Sequence, residues 1–323
     1  MKKKLPKISV MMLSYNGLEY LKKTIPPILK LDYPNYEFII VDNGSTDGSV
    51  EFIKKFKKIK LIENGKNLGY SKGKNKGIKE TKGEYILSLD NDILIHDKKL
   101  LKKLLLKYTG GSGFLQIPLI DINKEKTKYY GTFFSIYGDN SHKKEFLLKD
   151  ILKKVCLVPI AGSIGGIFFI KKRTWADLGG FDESQNFNMD DFDMSSRSCI
   201  MGYKNFLYTK SYAIHLGINK TETAESYANR FKLLFSGHAR SMIKNYKLIN
   251  LIIRFPIFFM FQFFKAVKYS LKKRSFEVFG AFLWSIRLFF KNFPDTLKQR
   301  RIIQSKRVVK EDIFLNIKPP KFN

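Results

Sequence analysis

Residues 8–92 alternate short apolar runs with helix-like stretches. Ile8–Leu13, Phe38–Val41, Lys60–Glu63 and Tyr85–Leu89 have strand length. Leu18–Leu31, Ser49–Lys57 and Gly69–Glu80 have helical spacing. Continuous apolar runs fit strands buried on both faces, and the alternation predicts a mostly parallel, doubly wound α/β sheet. Ligands of such sheets bind at the carboxyl ends of strands. Asp42 closes the second run and Asp90-Asn91-Asp92 closes the fourth, so these acidic groups are expected at one edge. Pro26 and Pro27 are expected to interrupt the first helix, because neither has an amide N–H.

Beyond residue 110 the pattern is less regular. Phe114–Ile120 and Gly166–Ile170 read as strands. Asp190–Met201 reads as a helix with acidic residues in its first turn, where they complement the helix dipole. After about residue 225 the composition shifts: residues 226–323 hold 21 Lys and Arg against 4 Asp and Glu, and six of the residues 255–264 are Phe. The whole chain carries a formal net charge of +30, which predicts attraction to polyanions: nucleic acid, an anionic membrane surface or phosphate-bearing substrates. Its 44% hydrophobic content excludes wholesale disorder. Cys156 and Cys199 are too few for a disulfide framework, which fits a reduced, cytosolic chain. The opening MKKKLPKISVMML is broken by Pro6 and Lys7 and has no small-residue cleavage site. It reads as a basic tail and a first buried strand, not a leader.

Asp90-Asn91-Asp92 offers two carboxylates at a strand end. Both can reach a hard divalent cation and, through it, a diphosphate. Asp191, near a helix start, is held ionised by backbone donors and can accept a proton. Each feature has a plain structural alternative. Asp-x-Asp occurs in surface loops, and Asp191 could be a first-turn cap. Asp42 could shape the turn at Asn43-Gly44. His215 could be a packed side chain. No Walker-type phosphate loop or Gly-x-Ser-x-Gly elbow is present. Ser14-Tyr15-Asn16-Gly17-Leu18 lacks the Gly-rich loop a sugar nucleotidyltransferase would carry after its first strand.

Taken in order, Ile8–Asn16, Phe38–Ser49, Asn67-Leu68-Gly69-Tyr70-Ser71 with Asn75 and Gly77, and Gly83–Asp92 closely resemble inverting family 2 glycosyltransferases of the GT-A fold. The likeness is greatest to the rhamnosyltransferase-like and galactofuranosyltransferase-like branch. It covers about residues 6–240 and continues through Gly179-Gly180-Phe181-Asp182-Glu183, Asp190-Asp191-Phe192-Asp193-Met194 and Arg197. The family usually has Glu-Asp-x-Asp-Leu at the second of these; here Asp190 stands for the Glu and Met194 for the Leu.

The resemblance implies a GT-A Rossmann-like mixed sheet flanked by helices, a UDP-, dTDP- or GDP-sugar donor, and Mn²⁺ or Mg²⁺. It assigns nucleotide binding to Ser14, Tyr15, Asn16, Asp42, Asn67, Asn75, Asp90 and Asn91, with Lys72 nearby. It assigns the metal to Asp90, Asp92 and His215, and the general base to Asp191. Gly180, Phe181, Asp182 and Asp190 are assigned to the acceptor, with Glu183 beside them. The acceptor class is a glycan or lipid-linked glycan. No Gln-x-x-Arg-Trp motif of processive members is present.

The expected organisation is a catalytic domain over 1–225, split into a nucleotide-sugar half (1–110) and an acceptor half (111–225). A helical, basic, aromatic region follows over 226–323. Leu248–Val267 is long enough to span a bilayer, but Arg254 and Lys265 fit a helix lying in the interface better, and Phe276–Phe290 repeats that chemistry; an ordinary amphipathic helical pair packed on the catalytic domain is the plain alternative. Lys272-Lys273-Arg274 could meet anionic lipid. The expected location is cytoplasmic, peripheral at the inner face of the cell membrane. No nucleic-acid partner is expected, since no nucleic-acid module is present and the Lys are spread along the chain. A non-catalytic polyanion-binding protein is the alternative.

Overall fold

The computed structural model describes residues 5–137, 144–184, 189–217 and 224–322. The expected basic tail falls mainly on residues 1–4, outside the described residues. The amino half runs β1 (Ile8–Ser14), α1 (Leu18–Leu29), β2 (Tyr36–Asp42), α2 (Ser49–Lys54), β3 (Ile59–Glu63), α3 (Tyr70–Lys79) and β4 (Tyr85–Asp90). The middle adds β5 (Ile93–Ile95), α4 (Leu100–Lys107), β6 (Ser112–Gln116), β7 (Leu119–Asp121), β8 (Lys126–Thr127), β9 (Phe146–Leu147), α5 (Leu148–Lys153), β10 (Leu157–Ile160), β11 (Ile167–Lys171) and α6 (Lys172–Leu178). Then come α7 (Asp190–Ile200), β12 (Lys204–Tyr208) and β13 (Ala213–His215). The helices α8 (Ala224–Asn245), α9 (Leu248–Lys273), α10 (Glu277–Lys291) and α11 (Phe293–Ser305) close the chain.

Eight strands form the main sheet in the order β10-β12-β6-β11-β4-β1-β2-β3. β1, β2, β3 and β4 pair in parallel, as the alternation predicts. β11 is antiparallel to both β4 and β6, so the sheet is mixed. Every residue of β1 is buried. Successive side chains point to opposite faces. Val10 and Met12 meet Leu21, Ile25 and Ile28 of α1 with Leu101 and Leu104 of α4. Met11 and Leu13 share the other face with Ile78 of α3 and Trp175 of α6. That two-sided burial is why these runs are unbroken by polar residues.

Two expectations are corrected. α1 continues through Pro26 and Pro27 to Leu29. Both prolines lie in its last turns, and the carbonyls they leave without an N–H belong to Lys22 and Lys23, which are exposed. The run Phe114–Ile120 is two strands, β6 and β7, on either side of Ile117-Pro118. β7 leaves the main sheet and joins a second one, β5-β13-β7.

Candidate active site

The register brings the acidic strand ends together. Ser14 lies opposite Asp42, and Leu13 opposite Asp90. Asp42 is buried; its Oδ2 accepts the amides of Gly44 (3.0 Å) and Ser45 (2.9 Å). Its Oδ1 is buried with no partner. Asn16, in the left-handed region at φ 46°, joins the same turn by accepting the amide of Thr46. Asn91 donates to Ser14 Oγ at 3.2 Å. Tyr15 is exposed at the rim.

The small sheet completes the edge. β13 pairs antiparallel with β5 and parallel with β7, setting His215 opposite both Ile93 and Asp121. His215 Nε2 is 3.1 Å from Asp92 Oδ2, and Nδ1 is 2.9 Å from Asp121 Oδ1. Asp92 raises the imidazole to about 9; burial opposes this and Asp121 adds to it. A Cβ on Gly217 would fall 2.8 Å from Asp92 Oδ2 and 2.9 Å from His215 Nε2, so only glycine leaves that space open. Asp90 stands apart from this pair. Its Oδ1 is 2.9 Å from the ammonium of Lys74, which is wholly buried and also donates to Ser88 Oγ and Leu89 O. Burial pushes the Asp90 carboxyl up, Lys74 draws it down, and Asp92 pushes it up again. Among the described residues no group of three His, Cys, Asp or Glu converges as a self-sufficient metal site. Asp92 and His215 fit a divalent ion that displaces the proton His215 Nε2 shares with Asp92. One carboxylate and one imidazole, the latter backed by Asp121, face a space kept free of side chain.

The opposite wall is the start of α7. Met189 precedes it in the left-handed region. Asp191 Oδ1 accepts the amide of Phe192 at 2.9 Å. Asp190 is buried with Oδ2 unpartnered, and burial followed by the Asp191 charge pushes its carboxyl up to about 7. A cleft of about 340 Å³ is lined by Tyr70, Asp90, Gly165 and Gly166 on one side and Asp190, Asp191 and Phe192 on the other. The strand-edge acid and the helix-start acids therefore share one opening.

The other sequence candidates lie elsewhere. Asn67 accepts from Asn43 and from the amide of Gly69, bracing the turn after β3. Asn75 clamps the backbone of Phe181, donating to its carbonyl and accepting its amide at 2.9 Å each. Phe181 packs edge-on against Trp175. The carbonyl of Gly180 accepts from Arg197. Asp182 is held between Arg240 (2.7 Å) and Lys244 (2.5 Å) of α8. Gly180, Phe181 and Asp182 line a separate polar cavity of about 210 Å³, not the Asp90–Asp191 cleft.

Sequence reasoning passed over Lys74 and Asp121. Lys74 shares its helix stripe with Gly73, Gly77 and Ile78, all buried, and that spacing was the available signal. Asp121 carried no local signal, because only the β7–β13 register brings it to His215.

Helices over a mixed sheet, with acids at its carboxyl edge facing a helix-start acid pair, define an α/β fold of the GT-A type. Residues 9–174 match the family model described as "Glycosyl transferase family 2", about half the chain. The chain belongs to that family. It is 39% identical over 104 residues to an uncharacterized glycosyltransferase of Haemophilus influenzae, covering 31% of this chain and 42% of that one. It is 38% identical over 93 residues to the poly-beta-1,6-N-acetyl-D-glucosamine synthase of Staphylococcus epidermidis, covering 28% and 23%. These curated relatives are thus matched over less than half their length. The fold is shared with the mannosyltransferase PcManGT of Pyrobaculum calidifontis, solved with GDP-Man and Mn²⁺: TM-score 0.56, 15% identity, covering 96% of this chain and 85% of that one.

Proposed function

We propose that the chain is an inverting, divalent-metal-dependent glycosyltransferase that moves a sugar from a UDP-, dTDP- or GDP-sugar to a glycan or lipid-linked glycan. One observation carries this reading: Asp90 and the Asp190–Asp191 pair line the same cleft. On this reading Ser14, Asn16, Asp42 and Asn91 would form the nucleotide end, at the neighbouring strand ends. Asp92 and His215 would hold Mn²⁺ or Mg²⁺, while Lys74 holds Asp90 apart from them at the cleft. The bound ion would offset the charge that builds on the departing diphosphate. Asp191 takes the proton of the acceptor hydroxyl while that oxygen bonds to the sugar C1. The C1–O bond to the diphosphate breaks on the opposite face, so a single displacement inverts the anomeric centre. Asp190, uncharged below about 7, would hydrogen-bond the acceptor without repelling it. Residues 1–225 would be the catalytic domain and 226–323 a helical region that keeps the enzyme peripheral at the inner face of the membrane. The name of the Staphylococcus relative, a poly-N-acetyl-glucosamine synthase, supports a glycan acceptor.

The test is a thermal-shift panel of UDP, GDP, dTDP and CMP with and without Mn²⁺ or Mg²⁺. A ligand of the folded state raises the melting temperature. One nucleoside diphosphate should do so only with metal, and Asp92→Ala should lose the effect. Asp191→Asn should keep the shift and lower turnover by about 10²–10⁴-fold. A shift with no nucleotide, or turnover unchanged in Asp191→Asn, would remove the reading.

A further inference from the structure

Helix α9 is amphipathic the wrong way round for water. Its buried stripe is Phe258, Gln262, Ala266 and Ser270, one residue every fourth position. Three of those four are small or polar. The stripe facing outward is Ile249, Ile252, Ile253, Met260, Phe264 and Leu271, each between 47 and 74% exposed. The antiparallel partner α10 does the same, leaving Leu283, Trp284 and Phe290 exposed, with Phe276 in the turn at 88%. A water-facing helix normally shows the reverse pattern. Exposed apolar faces of this kind mark a binding surface.

Charge identifies the occupant. Residues 248–291 contain eight Lys and Arg and a single acid, Glu277. Lys265, Lys268, Arg287 and Lys291 are interspersed with the apolar stripes, and Lys272-Lys273-Arg274 forms the tip. Long basic side chains among Phe, Ile and Trp suit the boundary between acyl chains and phosphate headgroups. A second copy would set like charges against each other.

α9 has the length and apolar composition to cross a bilayer, with mean hydropathy 1.5 in its most apolar stretch. Its attachments argue against crossing. Phe258 stacks on Phe235 of α8 and meets His238, and Ser270 Oγ accepts the amide of Phe279. Spanning would also carry Arg254, Lys265 and Lys268 into hydrocarbon.

We propose that the α9–α10 hairpin lies flat on an anionic lipid bilayer, its outward stripes in the acyl boundary and its Lys and Arg at the lipid phosphates. An apolar groove of about 620 Å³, carrying Arg254 and Lys318, opens beside α9. Tyr137 in its wall stacks on Phe261 of α9 at 4.4 Å. Phe134 lines the same groove and touches Phe192, the neighbour of Asp191. The docked face therefore borders the acid pair, and a membrane-borne acceptor would arrive from this side. That last step rests on the transferase reading; the docking does not.

The experiment is co-sedimentation of the full chain with phosphatidylcholine vesicles, with and without phosphatidylglycerol. The chain should pellet with the anionic vesicles, stay in the supernatant with the neutral ones, and be released by alkaline carbonate. Ile252→Glu combined with Phe264→Glu should weaken partitioning by about tenfold or more, at unchanged melting temperature. Lys272→Glu with Lys273→Glu should abolish the preference for the anionic lipid. A wild-type chain that ignores anionic vesicles overturns the proposal, as does a glutamate variant that pellets like wild type. Retention through carbonate would mean the helix spans. A dimer in light scattering that the glutamate variant splits would assign the face to a second copy. Either result overturns the flat placement. Nucleotide-induced thermal shifts, read on the same proteins, report on the transferase reading separately.

Discussion

Asp190 and Asp191 adjoin in the chain but sit in different surroundings. Asp190 is enclosed, and burial plus its neighbour's charge raise its carboxyl to about 7. In the unfolded chain it would titrate near 3.9. Between roughly pH 4 and pH 7 the unfolded chain gives up this proton while the folded protein keeps it, so stability falls as pH rises through that window. Asp190→Asn should therefore add little stability near about pH 4 and on the order of a few kcal/mol near about pH 8. Urea unfolding at the two pH values checks this; equal gains at both would mean the carboxyl is not held neutral.

Asp121 fixes the His215 ring through Nδ1. Asp121→Ala should weaken Mn²⁺ binding by about 10–100-fold, read by titration in the presence of the preferred nucleoside diphosphate. Unchanged affinity would leave Asp121 as a strand-edge partner of Lys124 only. Asp42, Asp90, Asp92 and Asp191 were legible because each sits where an apolar run or a helix begins or ends. Lys74 was hidden among Lys72, Lys76 and Lys79 in a stretch that looks solvated, yet it is wholly buried.

Between elements, α7 and α8 are joined by buried ions. Asp193 pairs with Arg197 at 2.7 Å and with Lys244 at 2.9 Å, and Lys244 and Arg240 converge on Asp182. Burial alone would raise the Asp182 carboxyl, but Lys244 and then Arg240 outweigh it and hold it far below the usual range. Asp182→Ala leaves two buried cations short of a partner. It should cost about 3–5 kcal/mol in urea unfolding, with Lys244's second partner favouring the lower end. A loss under about 1 kcal/mol would mean water takes the carboxylate's place. Sequence pattern located α7 to within a residue, because its first turn is acidic and Gly202 follows its end, whereas α8 was legible only as the opening of a helical region. It could not supply the pairing, since residues 182 and 244 meet only after the fold has closed. The prolines misled for a related reason: whether Pro26 and Pro27 break α1 depends on which carbonyls lose a donor, and that depends on exposure.

At the scale of the molecule, composition marks a change near residue 225, while the apolar packing runs across it. Met189, Phe192, Cys199 and Ile200 lie in one buried cluster with Phe231, Phe235, Phe258 and Phe282. The start of α7, where Asp190 and Asp191 stand, thus rests on the carboxyl-terminal helices. A chain ending at residue 225 would expose that cluster and strip Asp182 and Asp193 of Lys244. Each large buried side chain left facing water forfeits about 1.5–3 kcal/mol, and several do so together, against a total stability of about 5–15 kcal/mol. The truncated chain should therefore lose its cooperative melting transition, and any nucleotide-dependent shift with it. Differential scanning calorimetry decides the matter. If the shortened chain melts cooperatively with full nucleotide response, the β1–β4 sheet holds the site unaided and the last four helices serve only their outer face. If cooperativity is lost, the helices that present the apolar face are the same ones that position the acid pair, and the site and the docking surface are two sides of one packed layer.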